Sequence, residues 1–160
     1  LKELKLHDLL KLDFSGFVKK LSKNYKIVDA CYYVGKVKTG NSEKSKELHA
    51  NQQRLFAHLR LHKIRYSLGY LLKSGGRYHE KGVDVNMAVD IMRAVYKDLC
   101  DHIILISSDT DMLPVINEAK ENGKTVEYVG FSHQPSLAMI ANCSEPTLLK
   151  SDDIQSFIKK

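Results

Sequence analysis

The sequence predicts an α/β protein, a three-layer α/β/α sandwich around a mainly parallel central sheet. Two observations carry this prediction. Apolar or β-branched runs alternate with segments of helical periodicity along the chain. One run, HIILIS at 102–107, is nearly all apolar, as strands buried on both faces of a parallel sheet usually are. Because the chain has 160 residues, we expect a single domain over 1–160.

The individual elements follow from composition and spacing. The run KIVDACYYV at 26–34 is rich in β-branched and aromatic residues, which favour a strand. Leucines and a phenylalanine at helical spacing indicate a helix over 43–62, and Gly123 is a typical C-terminal cap. The full prediction is strands at 26–34, 64–72, 102–107 and 125–130, helices at 43–62, 83–94, 111–122, 137–142 and 152–158, and an edge strand at 147–149.

The composition excludes several classes of protein. No apolar run approaches the ~20 residues of a membrane span. Three widely spaced cysteines without a CxxC pair argue against a disulfide framework and a zinc ribbon. We therefore expect a protein of the reducing cytoplasm.

Charge is distributed unevenly along the chain. Residues 36–81 contain eleven Lys or Arg and three Glu, whereas residues 82–118 contain seven Asp or Glu and two Lys or Arg. This order suggests a surface that binds a polyanion beside a cluster of carboxylates. Solvated helix faces explain such runs equally well.

Two carboxylates follow the apolar strand at 102–107. Asp109 and Asp111 stand at its carboxyl end, the edge of a parallel sheet at which ligands bind. Alternatively, Asp109 is a turn residue and Asp111 caps the next helix. Ser107 either donates a hydrogen bond near a metal or shapes the turn.

Asp84 opens another helix, directly after the basic stretch. An acid in the first turn also stabilises the helix dipole, so a structural role is an alternative. Asp90 lies roughly 240° further around this helix. It therefore points elsewhere and is expected to make a supporting hydrogen bond or an ion pair.

Gathered carboxylates raise one another's pKa unless a cation compensates them. Mg²⁺ or Mn²⁺ would do so, since Mg²⁺ takes oxygen ligands and substrate phosphates, and such a metal activates water for phosphodiester hydrolysis. Basic residues of the preceding stretch would hold a nucleic-acid backbone; they are Arg65, Lys73, Arg77 and Lys81.

Tyr66, Tyr70 and Tyr78 are interleaved with these basic residues. They could stack on unpaired bases, although packing in a strand is the favoured interpretation for Tyr66 and Tyr70. His58 and His62 form an i, i+4 pair without a third ligand, so a structural role is favoured. The sequence lacks a GxSxG elbow, a P-loop and a GxGxxG fingerprint.

The strings KGVDVNMAVDIM (81–92) and ILISSDTDMLPVINEAKENGKTVEYVGF (104–131) resemble the NYN family, also called LabA-like or DUF88, of PIN-like nucleases. The resemblance is specific over 77–150. It implies a PIN-like, Rossmann-like sandwich with a metal-binding acidic site, in which Asp84, Asp109 and Asp111 match acidic positions. Asp90 matches a recurrent acid of the same helix.

One feature departs from the family pattern. The family begins with a strand that carries Asp-x-x-Asn or Asp-Gly-x-Asn, and no such motif is present here. We expect that the sequence lacks this first strand.

The leading hypothesis is an Mg²⁺- or Mn²⁺-dependent nuclease that acts on RNA, with a homodimer compatible with the leucine-rich leader. The rival is a non-catalytic nucleic-acid-binding regulatory module of the same fold. A metal-dependent phosphatase is a third option, which the absence of an early Asp-x-Asp-x-Thr disfavours.

Overall fold

A computed structural model of the chain describes residues 6–23, 25–37, 40–75 and 77–158. It confirms the predicted α/β class, with several helices and parallel strands. The elements are α1 (Leu6–Lys11), α2 (Phe14–Ser22), β1 (Cys31–Val34), α3 (Glu43–Leu61), β2 (Arg65–Leu68), β3 (Tyr70–Ser74), β4 (Arg77–Lys81), α4 (Val83–Tyr96), β5 (His102–Leu105), α5 (Leu113–Glu121), β6 (Thr125–Phe131), α6 (Leu137–Asn142), β7 (Glu145–Leu149) and α7 (Ser151–Gln155).

The chain divides into two compact units. The first unit takes its described residues from Leu1–Lys20, Asp29–Asn86 and Phe157–Lys160, and the second from Leu21–Val28 and Met87–Ser156. Helix α4 begins in the first unit and ends in the second. A single domain over 1–160 stays a prediction. No helix of the described ranges is both long and apolar enough to cross a bilayer.

In the first unit, β1 and β2 form a parallel pair in the register Cys31↔Arg65 to Val34↔Leu68. Parallel neighbours need a crossover connection, and α3 supplies it. Ser42 caps α3 by accepting the N–H of Ser45 at 3.2 Å. The buried face of α3 carries Leu55, Phe56 and Leu59.

Two histidines hold the N-terminal helices of the first unit against α3. Nε2 of His58 donates to the carbonyl of Leu12 at 2.8 Å. Nδ1 of His62 lies 2.9 Å from Oγ of Ser15 and 3.3 Å from a carboxylate oxygen of Asp13. These contacts agree with the structural role favoured for the pair.

The predicted strand at 64–72 is wrong, because two strands occupy that stretch. Gly69 separates β2, which pairs with β1, from β3, which forms an antiparallel hairpin with β4. A β-carbon at Gly69 would lie 2.7 Å from the carbonyl oxygen of Lys81 and 2.7 Å from Cγ2 of Val83. A residue without a side chain is therefore required at position 69, where the chain passes from the β1–β2 pair to the β3–β4 hairpin.

The second unit is built on the all-parallel sheet β5-β6-β7, with β6 at its centre. Every residue from Val126 to Gly130 is buried. One face of the sheet packs against α5 and α6 through an apolar cluster that includes Leu105, Ile116 and Met139. Such burial is typical of central parallel strands, which explains why their apolar runs could be recognised.

We expect Gly69→Ala to lower the free energy of unfolding by about 1–3 kcal/mol, because the new methyl group meets backbone atoms that cannot move cheaply. Urea denaturation measures the loss. Gly40→Ala is the matched control, since the nearest atom there is the rotatable hydroxyl of Ser45 at 3.0 Å. Equal midpoints for the two variants would contradict the steric account of the strand break.

Candidate active site

The turn after β5 orders two carboxylates by local hydrogen bonds. Oδ1 of Asp109 accepts the N–H of Asp111 at 3.0 Å, and the N–H of Asp109 donates to Oγ of Ser107 at 3.2 Å. Asp109 has extended backbone and caps the 3-10 turn Thr110–Met112 that leads into α5. The alternative in which Asp111 caps the next helix is wrong, since Asp111 lies within the 3-10 turn and the N-cap residue of α5 is Met112, which makes no side-chain capping bond.

Tyr128 supports this turn from within the sheet. Its side chain is fully buried in the centre of β6. Its hydroxyl lies 3.2 Å from Oγ of Ser108 and accepts the N–H of Ser136, the cap of α6, at 3.1 Å. The ring has room to reach these partners because residue 130 is glycine; a β-carbon there would overlap the Tyr128 hydroxyl.

The three candidate acids differ from most other aspartates in their electrostatic surroundings. Asp90 pairs with Arg93 at 2.7 Å, and Asp29 pairs with Arg65 at 2.8 Å. Within the part of the chain that the structure describes, Asp84, Asp109 and Asp111 form no ion pair. Their charge is thus left for solvent or for a bound cation to compensate.

The acids fall in different units. The structure brings Asp109 and Asp111 together in the second unit, with Asp109 half-buried and Asp111 exposed. Asp84 is exposed in the first turn of α4, within the first unit. Association of Asp84 with the other two stays a prediction.

The start of α4 is fixed within the first unit. Gly82 precedes the helix with φ of 84°, a left-handed conformation suited to glycine. Nδ2 of Asn86 donates to the carbonyl of Leu68 at 3.0 Å, which ties the first turn of α4 to the end of β2. Asp84 therefore projects from an anchored turn.

The predicted basic residues have different surroundings. Arg65 lies at the amino end of β2 in its ion pair with Asp29. Lys81 is exposed at the end of β4, and Nζ of Lys73 lies 6.0 Å from the centroid of the Tyr78 ring. The side chain of Arg77 lies outside the described residues. Lys73 and Lys81 are thus exposed cations on the β3–β4 hairpin.

The three tyrosines of the basic stretch separate into two kinds. Tyr66 stacks on Phe56 with ring centroids 4.2 Å apart and planes within 5° of parallel, which is a packing role. Tyr70 and Tyr78 are 60% and 44% exposed. The sequence favours a packing role for both Tyr66 and Tyr70. The structure agrees for Tyr66, whereas the ring of Tyr70 is mostly exposed.

A shallow cleft lies at the carboxyl ends of β1 and β2. Its volume is about 500 Å³, and its lining includes Lys36, Leu71, Tyr70 and Tyr78. This position is the edge of a parallel sheet at which ligands bind. The cleft therefore joins a basic side chain and exposed aromatic rings in one unit.

Sequence reasoning missed a group of potential metal ligands in the second unit. Ligand atoms of His102, Glu127 and Glu145 all lie within 4.8 Å of one another, and Glu127 is fully buried. Nζ of Lys23 lies 3.7 Å from Glu127 and 4.0 Å from Glu145, so an internal cation already offsets part of their charge. The three ligands come from three strands, and only the strand register brings them together.

The cysteines are poor candidates for a nucleophile. Cys31, Cys100 and Cys143 form no disulfide. Burial raises the pKa of the Cys100 thiol and that of the Cys143 thiol. Because the thiolate is the reactive form, these two side chains are suited to packing.

Comparison with known proteins decides the family. The sequence matches the NYN domain over residues 3–150. The chain belongs to the NYN domain family. This family lies in the PIN-like nuclease superfamily, so the resemblance of the two sequence strings is confirmed and the fold is a nuclease-like one.

Two known proteins are similar to this NYN chain. A stretch of 48 residues is 46% identical to the uncharacterized protein MJ0482 of Methanocaldococcus jannaschii and covers 30% of this chain and 20% of that protein. The chain thus spans about a fifth of the length of that relative. The crystal structure of VPA0982, a protein of unknown function from Vibrio parahaemolyticus, is similar with a TM-score of 0.65 and 20% identity over 89% of this chain and 81% of that one. This likeness shows a shared fold.

We expect Tyr128→Phe to lower the free energy of unfolding by about 1–2 kcal/mol, because the N–H of Ser136 loses its acceptor. Thermal unfolding measures the change. Tyr96→Phe is the control, since the Tyr96 hydroxyl donates to Glu118 at the surface and its loss should cost little. Similar stability of the two variants would show that the buried hydroxyl does not anchor the turn.

Proposed function

We propose that this NYN protein is a divalent-metal-dependent nuclease that acts on RNA. The observation that carries the proposal is the lack of ion pairs at Asp84, Asp109 and Asp111 among the described residues, in a chain whose family has a nuclease-like fold. Carboxylates kept without a protein cation are suited to hold a metal.

The donor set fits Mg²⁺ or Mn²⁺. Asp109 and Asp111 offer only carboxylate oxygens, which hard divalent cations prefer. We assign Asp84, Asp109 and Asp111 to the metal, directly or through water. When bound, the metal would activate water and stabilise the charge that develops on the scissile phosphate.

The remaining residues have supporting roles in the proposal. Ser107 and Tyr128 fix the turn through the hydrogen bonds described above, and Asp90 stabilises α4 by its pair with Arg93. Lys81 and Arg77 would bind backbone phosphates, whereas Lys73 lies on the face of the hairpin opposite Lys81. Arg65 stays a candidate for the same role, with its guanidinium in an exposed ion pair with Asp29. The three cysteine thiols suit a reducing compartment, and we place the protein in the cytoplasm.

We expect Asp109→Asn to reduce metal-dependent cleavage of end-labelled single-stranded RNA by about 100-fold or more, since the metal loses a charged ligand. The full natural polypeptide is assayed with Mn²⁺ or Mg²⁺, and with EDTA as the metal-free arm. Asp101→Asn is the matched control. Asp101 lies before the amino end of β5, whereas Asp109 lies after its carboxyl end, so this substitution should leave cleavage unchanged.

Loss of the free Mn²⁺ signal in electron paramagnetic resonance provides a second readout that does not depend on activity. The wild type and Asp101→Asn should bind the ion, and Asp109→Asn should bind it weakly. Cleavage that persists in EDTA or in Asp109→Asn would overturn the proposal. Salt-sensitive RNA binding without cleavage by any form would favour the non-catalytic binding module.

A further inference from the structure

We propose that Tyr70 is a stacking platform for an unpaired base and that it places the adjoining phosphate beside the start of the helix that carries Asp84. This inference rests on the proposed function, since it concerns how that site receives nucleic acid. It concerns a surface of the first unit, formed by Tyr70, Leu72, His79 and Lys81, which we call the Tyr70 face.

The Tyr70 face exposes large apolar groups that a strand surface normally covers. Tyr70 is 60% exposed and Leu72 is 50% exposed. Exposed neighbouring apolar side chains of this kind mark interaction sites more often than isolated ones do. Aromatic side chains on a β-sheet surface are a recurrent means of stacking unpaired bases.

The hairpin register gives the Tyr70 face its charge. Tyr70 pairs with Lys81 and Leu72 pairs with His79, so these four residues share one face. Glu80, the single acidic residue between Tyr70 and Lys81 in the sequence, pairs with Leu71 and belongs to the opposite face. The Tyr70 face therefore combines an exposed ring with a lysine and a histidine and carries no carboxylate of the hairpin.

The position of Tyr70 links this face to the first turn of α4, which carries Asp84. A β-carbon at Gly82 would lie 2.6 Å from Cε1 of Tyr70, so the ring rests on Gly82. Val83 begins α4 directly after it, and Asp84 is the next residue. A base stacked on Tyr70 thus has its sugar and phosphate within reach of the first turn of α4.

The chemistry of the face favours nucleic acid as the occupant. A base offers a flat ring for stacking, and its phosphates complement the neighbouring lysine. Base pairing would hide the face of the ring inside a duplex, so the proposed ligand is single-stranded. A second copy of the chain or an apolar peptide would need no cation beside the ring.

The test measures binding without cleavage. Anisotropy of a fluorescein-labelled RNA of about 12 nucleotides is followed in EDTA, beside an abasic oligonucleotide of equal length and an RNA duplex. The wild type should bind the base-bearing single strand more tightly than the other two. Tyr70→Leu should weaken that binding by about 5- to 150-fold, the range of one lost base stack, and leave the abasic affinity unchanged.

Two variants make the result specific. Tyr70→Phe keeps the ring and should retain near wild-type affinity. Tyr96→Leu removes another exposed tyrosine, 66% exposed at the end of α4, and should change nothing. Equal affinities of Tyr70→Leu and Tyr70→Phe would overturn the inference, as would a parallel loss of abasic binding or a Tyr70-dependent dimer without RNA binding.

The outcome is separable from that of the proposed function. Base-dependent binding through Tyr70 without cleavage in Mn²⁺ would support the stacking surface and refute the nuclease. Metal-dependent cleavage through Asp109 with equal affinities of Tyr70→Leu and Tyr70→Phe would support the nuclease and refute the stacking surface.

Discussion

The hydroxyl of Tyr128 joins the buried core of the second unit to the turn that carries Asp109. It lies in the middle of the most deeply buried strand and contacts two different connections, through Ser108 before the acidic turn and Ser136 before α6. A buried hydroxyl must satisfy its hydrogen-bonding capacity within the protein. The same contacts that satisfy it therefore fix the backbone from which Asp109 projects. A change in the packing around Tyr128 would therefore also change the position of the Asp109 carboxylate.

Several acidic residues outside the candidate site are compensated by cations of the chain itself. The carboxylate of Asp98 accepts a hydrogen bond from Lys124. This pairing lowers the pKa of Asp98 and raises the pKa of Lys124 relative to their ordinary values. Glu127 is buried among Lys23, His102 and the hydroxyl of Thr147. Such contacts keep charges satisfied inside the folded chain. The acids of the candidate site lack cationic partners of this kind in the described residues, so their charge remains available to a ligand.

The sequence predicts the second unit better than the first for a physical reason. Strand β6 is buried along most of its length and β5 is nearly all apolar, so both strands stand out in the sequence, and the acids that follow β5 could be placed at the carboxyl end of a strand. The β3–β4 hairpin could not be predicted in this way. The sequence of β4, RYHEK, has no alternation of apolar and polar residues, and the apolar residues of β3 directly continue those of β2. Asp109 caps a 3-10 turn of only three residues. Such a turn is too short to produce a recognisable periodic pattern in the sequence. The cluster around Glu127 depends on register between distant strands, which no local pattern encodes.

The alternation of the β3–β4 hairpin has an evolutionary consequence. Its two faces differ in chemistry only because Tyr70 pairs with Lys81 and Leu71 pairs with Glu80. Inserting or deleting one residue in either strand would exchange the faces of every side chain beyond it. Glu80 would then stand on the same side as Tyr70, and its negative charge would repel phosphate. Related chains should therefore tolerate many substitutions in this hairpin, but not a change of length within either strand.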